Sequence, residues 1–150
     1  MKRTVTFISD PGHGWLSVSI KEVIALAIEN KISGYSYMTT TRVYLEEDCD
    51  AQVFIDAAKA AGWELTIKET WTNRQAACRN YGGYNPEFIM NPIKVNDLVN
   101  IHGDSAQFKV IALCGTGLIV QSPTGSQYGI PGPNIFKHIS GRIQRQTLAA

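Results

Sequence analysis

The residues best suited to chemistry lie in one short turn near the start of the chain, Asp10-Pro11-Gly12-His13-Gly14-Trp15. Asp10 and His13 are three residues apart and follow a stretch that alternates like a β-strand, so the turn would present both side chains at a strand end. A carboxylate and an imidazole at this spacing could ligate a metal or act as an acid–base pair. The glycines would let backbone amides approach a ligand. The alternative is a structural turn with Trp15 in the core and His13 merely exposed.

A second candidate is an acidic run that places four acids in five positions, Glu46, Glu47, Asp48 and Asp50. Carboxylate oxygens could bind a divalent cation, alone or together with the turn at Asp10 and His13. The same charge could meet a basic surface on a partner. The alternative is the solvated start of a helix, where negative charge is favoured by the helix dipole.

A basic and aromatic segment, with Arg74, Arg79 and Tyr81, is the third candidate. Arginine suits a phosphate, and an aromatic ring suits stacking on a base. The simpler interpretation is that these arginines pair with the acidic run, which would place the segment over residues 46–50. Between the arginines lies Cys78, a better candidate for a reactive thiolate than Cys49, whose acidic neighbours should raise its pKa.

Residues 1–90 have the pattern of a small α+β domain that would position these side chains. A strand is expected at 4–9, and Ser19 with Glu22 forms a capping box that should start a helix ending near Asn30. The remaining pattern predicts a strand at 16–18, a hairpin at 35–38 and 42–45, a helix at 51–61 with Asp50 as its N-cap, a strand at 64–71 and a long Arg/Tyr loop at 72–92. Two helices would cover one face of a mostly antiparallel sheet, as in a small α/β sandwich.

Residues 91–150 change to short strands separated by turns. Strands are expected at 97–102, 107–113, 117–121, 127–130 and 135–139, and this pattern resembles an SH3-like β-barrel. A C-terminal tail would begin at Ser140. The predicted fold class is therefore α+β, with a domain boundary near Asn91 and two parts packed on each other because each is small.

The composition is that of a globular protein, since 44% of the 150 residues are hydrophobic and 18% are charged. The net charge of +1 argues against a protein that coats DNA non-specifically. The widely spaced cysteines, three in number, indicate reduced thiols rather than a disulfide framework. Without a spanning segment or a signal peptide in the pattern, we expect a cytoplasmic protein, in a host cell, that does not bind membranes.

Two motifs taken in order, Ser9-Asp10-Pro11-Gly12-His13-Gly14-Trp15 and Leu45-Glu46-Glu47-Asp48-Cys49-Asp50, resemble those of a family of small proteins encoded by bacteriophages and plasmids. Tyr35-Ser36-Tyr37 and Thr72-Asn73-Arg74 extend the resemblance, which covers about residues 4–85. It implies an origin in a mobile element and no particular chemistry.

The sequence favours an accessory protein that works by binding, with no cofactor and no assigned metal. It would capture a host or defence-system protein, or a nucleotide, as a counter-defence or host-takeover factor. The predicted binding residues are Asp10, His13, Trp15, Glu46, Glu47, Asp48, Arg74, Arg79 and Tyr81. One alternative is a small metal-dependent hydrolase or nuclease that uses Asp10, His13 and the acidic run. Another is a nucleic-acid-binding module that acts through the barrel.

Overall fold

The computed structural model describes residues 1–143, which form an α+β fold built on two sheets. The first sheet has six strands in the order β5-β1-β2-β4-β3-β6 and is antiparallel except where β1 runs parallel to β5. Its strands are β1 (Lys2–Ser9), β2 (Gly14–Ser19), β3 (Tyr37–Met38), β4 (Arg42–Glu46), β5 (Glu64–Trp71) and β6 (Gly82–Gly83). The helices among them are α1 (Ile20–Ala25), α2 (Ala51–Ala60) and a 3₁₀ turn at Ala77–Asn80.

Helix α1 begins as predicted and ends five residues early. Glu22 accepts from the Ser19 amide at 2.8 Å while the Ser19 hydroxyl accepts from the Glu22 amide, which is the capping box. The helix then stops because Ala27 adopts φ 51°, and the Ile28 amide donates to the Val23 carbonyl. This pattern is a Schellman motif with alanine where glycine is usual, and it turns Ile28 into the core.

The first sheet is covered on both faces. Side chains of the inner strands, among them Val5, Leu16 and Leu45, pack with Phe54 of α2 in the main core. On the opposite face, Trp15 packs with Ala76 and Cys78 in a second, smaller core. The segment after β5 therefore folds back over the sheet.

Strand β5 has the bounds that the sequence predicts, yet only part of its apolar side packs on the core. Leu65 packs against the main core, whereas Ile67 and Trp71 are 41% and 67% exposed on this edge strand. The parallel register to β1 pairs Val5 with Ile67. The alternation of apolar and polar residues therefore predicts where the strand lies in the sequence, but not its position at the edge of the sheet.

The second sheet is curled and has five strands in the order β10-β9-β8-β7-β11. The expected strand at 135–139 is wrong, because Ile135 and Phe136 are buried on a helical turn that follows Pro133. Ile139 instead opens the last strand, so residues 140–143, predicted to be a tail, belong to a strand that pairs with β7 through residues 141–143 after a bulge at Ser140. The rest of that tail lies outside the described residues. The elements of this half are α3 (Glu87–Met90), β7 (Leu98–Ile101), β8 (Gln107–Cys114), β9 (Gly117–Gln121), β10 (Gln127–Ile130), a 3₁₀ turn at Gly132–Asn134, α4 (Ile135–His138) and β11 (Ile139–Ile143).

One continuous core joins the two sheets. The rings of Phe88 and Phe136 lie 4.6 Å apart, and Gly82 of β6 lies against the backbone of Phe136. A Cβ atom at Gly82 would stand 2.2 Å from the Phe136 carbonyl carbon, so only glycine allows β6 to approach α4 this closely. The packing of the two parts on each other is thus present, while the domain boundary near Asn91 stays a prediction.

Within the described part of the chain, no helix is long and apolar enough to cross a membrane.

Candidate functional site

Asp10 holds the turn at the end of β1 together. Its carboxylate accepts hydrogen bonds from the amides of Gly12, His13 and Ala76 at 2.9–3.0 Å, and its own amide donates to the His13 carbonyl. Arg79 adds a bidentate pair, with Nε and Nη2 at 2.6 and 2.8 Å from the two carboxylate oxygens. Five donors occupy this side chain, so Asp10 is a structural anchor that links β1 to the segment after β5.

Arg79 is the main cause of a lowered pKa at Asp10. The guanidinium, and to a smaller extent the Ala76 amide, hold the pKa of Asp10 far below its usual range. The Asp10 carboxylate raises the pKa of Arg79 in turn. Arg79 also lies over the Trp15 ring, with Cζ 4.7 Å from the ring centre. The simpler interpretation of the sequence paired Arg79 with the acidic run, and the structure pairs it with Asp10.

Cys78 lies in the second core, where its thiol is shielded from solvent. Its side chain is 2% exposed, and burial raises the pKa of its thiol to about 11. A thiol of this kind is protonated at neutral pH, so the expectation of a reactive Cys78 is wrong. The sequence places Cys78 between two arginines, which suggested a lowered thiol pKa. In the structure Arg79 is bonded to Asp10 and Arg74 is exposed to solvent, so neither arginine is directed at the thiol.

Two of the four acids in the run stabilise the backbone. Asp50 is buried and accepts from the amide and hydroxyl of Ser33 and from the hydroxyl of Ser36, at 2.9, 2.7 and 2.5 Å. It occupies the N-cap position of α2 without the side-chain hydrogen bond that we expected. Glu46 uses Oε2 to accept from the amides of Asp48 and Cys49, both at 2.9 Å.

The other oxygen of Glu46 faces the imidazole of His13. His13 Nδ1 lies 3.6 Å from Glu46 Oε1 and 3.7 Å from Glu47 Oε1. One ligand atom from each of His13, Glu46, Glu47 and Asp48 falls in a group whose members are all within 4.8 Å of one another. Two motifs that are more than 30 residues apart meet here because β2 pairs with β4, which sets Trp15 opposite Glu46.

This cluster, the His13 cluster, forms one side of a cleft of about 310 Å³. The lining also includes Tyr35 and Tyr37, which the sequence placed on a strand and not in the site. Tyr35 is 72% exposed. The cleft residues are His13, Trp15, Tyr35, Tyr37, Glu46, Asp48, Cys49 and Arg79. The Tyr35-Ser36-Tyr37 motif was the only sequence feature that pointed to these tyrosines. The alternation of side chains along a strand does not show which face of the strand lines a ligand site.

Two features of the lining bear on its chemistry. Trp15 is 2% exposed, and its indole Nε1 finds no acceptor among the described residues, a state that costs about 1–3 kcal/mol in a buried donor. Cys49 is exposed, but desolvation of its sulfur, with a hydrogen bond to Glu46 and the nearby carboxylates, raises its pKa. The second result confirms the sequence expectation that Cys49 is a poor thiolate.

The structure does not bring the remaining predicted residues into the lining. Arg74 is exposed, with only its backbone amide bonded to Thr72. Tyr81 packs on Tyr44, with ring centres 5.3 Å apart, at the edge of the second core. Of the nine residues predicted to bind a ligand, seven thus lie in the cleft wall, the His13 cluster or its anchor.

No protein-family model matches the chain, and neither the curated proteins nor the solved structures compared with it include a match.

Proposed function

We propose that the protein acts by binding, and that it captures its ligand in the cleft between His13 and Tyr35. The observation that carries this proposal is the convergence of aromatic and acidic side chains on one open cleft, with three of the aromatic rings and two carboxylates in its wall. Asp10, the carboxylate best placed in the sequence for acid–base catalysis, is occupied by five donors and held ionised. The site therefore offers recognition groups without a general base at Asp10.

The lining suits the two ligand classes that the sequence suggested. A basic side chain of a host or defence-system protein would pair with Glu46 and Asp48 while its cation lies against a tyrosine ring. A nucleotide would stack its base on Tyr35 or Tyr37. A volume of about 310 Å³ is at the small end of ligand sites, so it would accommodate one side chain or one mononucleotide.

The biological setting is proposed from the sequence motifs alone. Their resemblance to bacteriophage and plasmid proteins supports a counter-defence or host-takeover factor working in the host cytoplasm. The curled five-stranded sheet is proposed to be an SH3-like barrel that makes a second contact. Support for that contact comes from an open groove beside Phe108 and the half-exposed Tyr128, whose rings are 6.1 Å apart.

The test is quantitative capture from host lysate and from a small-molecule extract, read by mass spectrometry. Tyr35→Ala should lower capture by at least about fivefold, because Tyr35 is mostly exposed and its loss removes one stacking contact of about 1–3 kcal/mol. Trp71→Ala is the matched control, since Trp71 is an equally exposed aromatic residue on the edge of the sheet. Equal capture by both variants would refute the cleft as the site. Loss in Tyr128→Ala alone would move the site to the second sheet.

A metal-dependent hydrolase or nuclease is the second candidate, favoured by the closeness of the four ligand atoms in the His13 cluster. Asp10 is committed to Arg79, so such chemistry would depend on His13 and the acids. Turnover of a nucleotide or DNA panel by the Mn²⁺-loaded protein, abolished in His13→Ala, would establish it. Capture that persists in His13→Ala without turnover in the parent would exclude it.

A further inference from the structure

Hydrogen bonds of the backbone hold much of the His13 cluster in place. The backbone of His13 is tied to Asp10 on both sides, through its amide and its carbonyl. Glu46 is fixed by two amide donors on Oε2, which leaves Oε1 toward the imidazole. The Glu47 amide donates to the Gly14 carbonyl, which sets the acidic run beside the turn. The Glu46 carboxylate and the backbones of the turn and the acidic run are therefore fixed, and they bring three carboxylates and an imidazole together without a lysine or arginine in the group.

The spacing of these atoms suits a small divalent cation. In octahedral coordination with bonds of about 2.1 Å, neighbouring ligand atoms are about 3.0 Å apart and opposite ones about 4.2 Å apart. The separations of 3.6 and 3.7 Å from His13 Nδ1 fall between these two values, and the 4.8 Å limit on the whole group exceeds the longer one by about 0.6 Å. One imidazole with several carboxylates is a ligand set typical of Mn²⁺ and related first-row ions.

A second observation, independent of the acids, points to a ligand beside them. Trp15 lines the same cleft, is 2% exposed, and carries an indole N–H without an acceptor among the described residues. Arg79, stacked on that indole, also lines the cleft. The cleft thus has acidic side chains on one side and, beside them, a buried donor for which the described residues supply no acceptor.

We propose that His13 Nδ1, Glu46, Glu47 and Asp48 bind a divalent cation of the Mn²⁺ class. An acceptor oxygen of the captured ligand completes the coordination and lies next to the Trp15 indole. This proposal rests on the proposed binding function and deepens it, because it makes ligand capture depend on the cation. The ligand class it implies is one with a phosphate or carboxylate oxygen, such as a nucleotide, rather than a bare basic side chain.

The test begins with Mn²⁺ alone, titrated into the metal-free protein by calorimetry and followed by the EPR signal of free Mn²⁺. One saturable site is expected, and Glu47→Gln, Asp48→Asn and His13→Gln should each lower its affinity at least about tenfold, the least that loss of even an outer-shell partner costs. The matched controls Glu69→Gln and Asp56→Asn remove exposed acids elsewhere and should bind as the parent does. Equal affinity in the cluster variants and the controls would overturn the proposal.

Capture then separates this proposal from the proposed function. The parent is compared in EDTA and in Mn²⁺ with the small-molecule extract, and a tenfold or greater gain with Mn²⁺ is expected. Capture that is unchanged by EDTA and still lost in Tyr35→Ala would refute the cation and retain the binding function. Tight Mn²⁺ binding with no captured species in either condition would support the metal site and refute the binding function.

Discussion

Two neighbouring glycines of β6 should respond to alanine in opposite ways. A Cβ atom at Gly82 would lie 2.2 Å from the carbonyl carbon of Phe136 and 2.3 Å from its oxygen, more than about 1 Å inside ordinary contact. At Gly83 the nearest atom is the Gly34 oxygen at 3.9 Å. Neither glycine has a positive φ, so alanine is compatible with both backbones. The pair therefore isolates the contact between the two sheets.

The expected magnitudes follow from these distances. Overpacking usually costs about 1–3 kcal/mol, and Gly82→Ala should reach the upper end because the obstacle is backbone and cannot rotate away. Gly83→Ala should be neutral or stabilising by up to about 1 kcal/mol, since it restricts the unfolded chain. Urea unfolding followed by circular dichroism should separate the two midpoints by more than about 1 M, given a typical urea slope. Midpoints within about 0.3 M of each other would refute the packing of β6 on α4.

Three further predictions concern single sites. Ala27→Gly should stabilise the protein by about 0.5–1 kcal/mol in the same urea assay, because glycine relieves the left-handed backbone at the end of α1; a loss of stability would contradict the Schellman motif. The pKa of Asp10 is lowered on folding, so its contribution to the free energy of unfolding is complete at neutral pH and is lost as the pH falls below about 4, toward the lowered pKa. Asp10→Asn should therefore be less stable at about pH 7 and lose less stability on acidification, and parallel curves of stability against pH for the two proteins would contradict this. Ellman's reagent should label Cys49 and Cys114 in the native protein and Cys78 only as it unfolds, whereas rapid labelling of three thiols would contradict the buried position of Cys78.

The sequence predicts what depends on neighbours along the chain. Ser19 and Glu22 are three residues apart and mark the start of α1 by themselves, and the alternation at 64–71 marks β5 to the residue. The end of α1 is set instead by Ile28, which must reach the core, and Ala27 carries no turn signal. Periodicity therefore predicted a longer helix than the core allows.

The site shows the same division. The turn and the acidic run are recognisable as chemistry, and their meeting follows from the β2–β4 pairing. The partner of Arg79 could not be predicted from the sequence, because Asp10 is 69 positions away and the other twelve acids of the chain are all nearer. The strand predicted at 135–139 failed for a similar reason, since Ile135 and Phe136 are buried on a helical turn and short apolar runs do not distinguish the two structures.

The Trp15 indole gives the most direct test of the claim that ligand is held in the cleft. The chain has three tryptophans, so a ¹⁵N-labelled sample gives three indole resonances, assigned by single Trp→Phe variants. When the captured species is added, the Trp15 N–H should move downfield as it gains an acceptor, while those of Trp63 and Trp71 stay in place. A bound species that shifts Trp63 or Trp71 and leaves Trp15 unmoved would contradict the account.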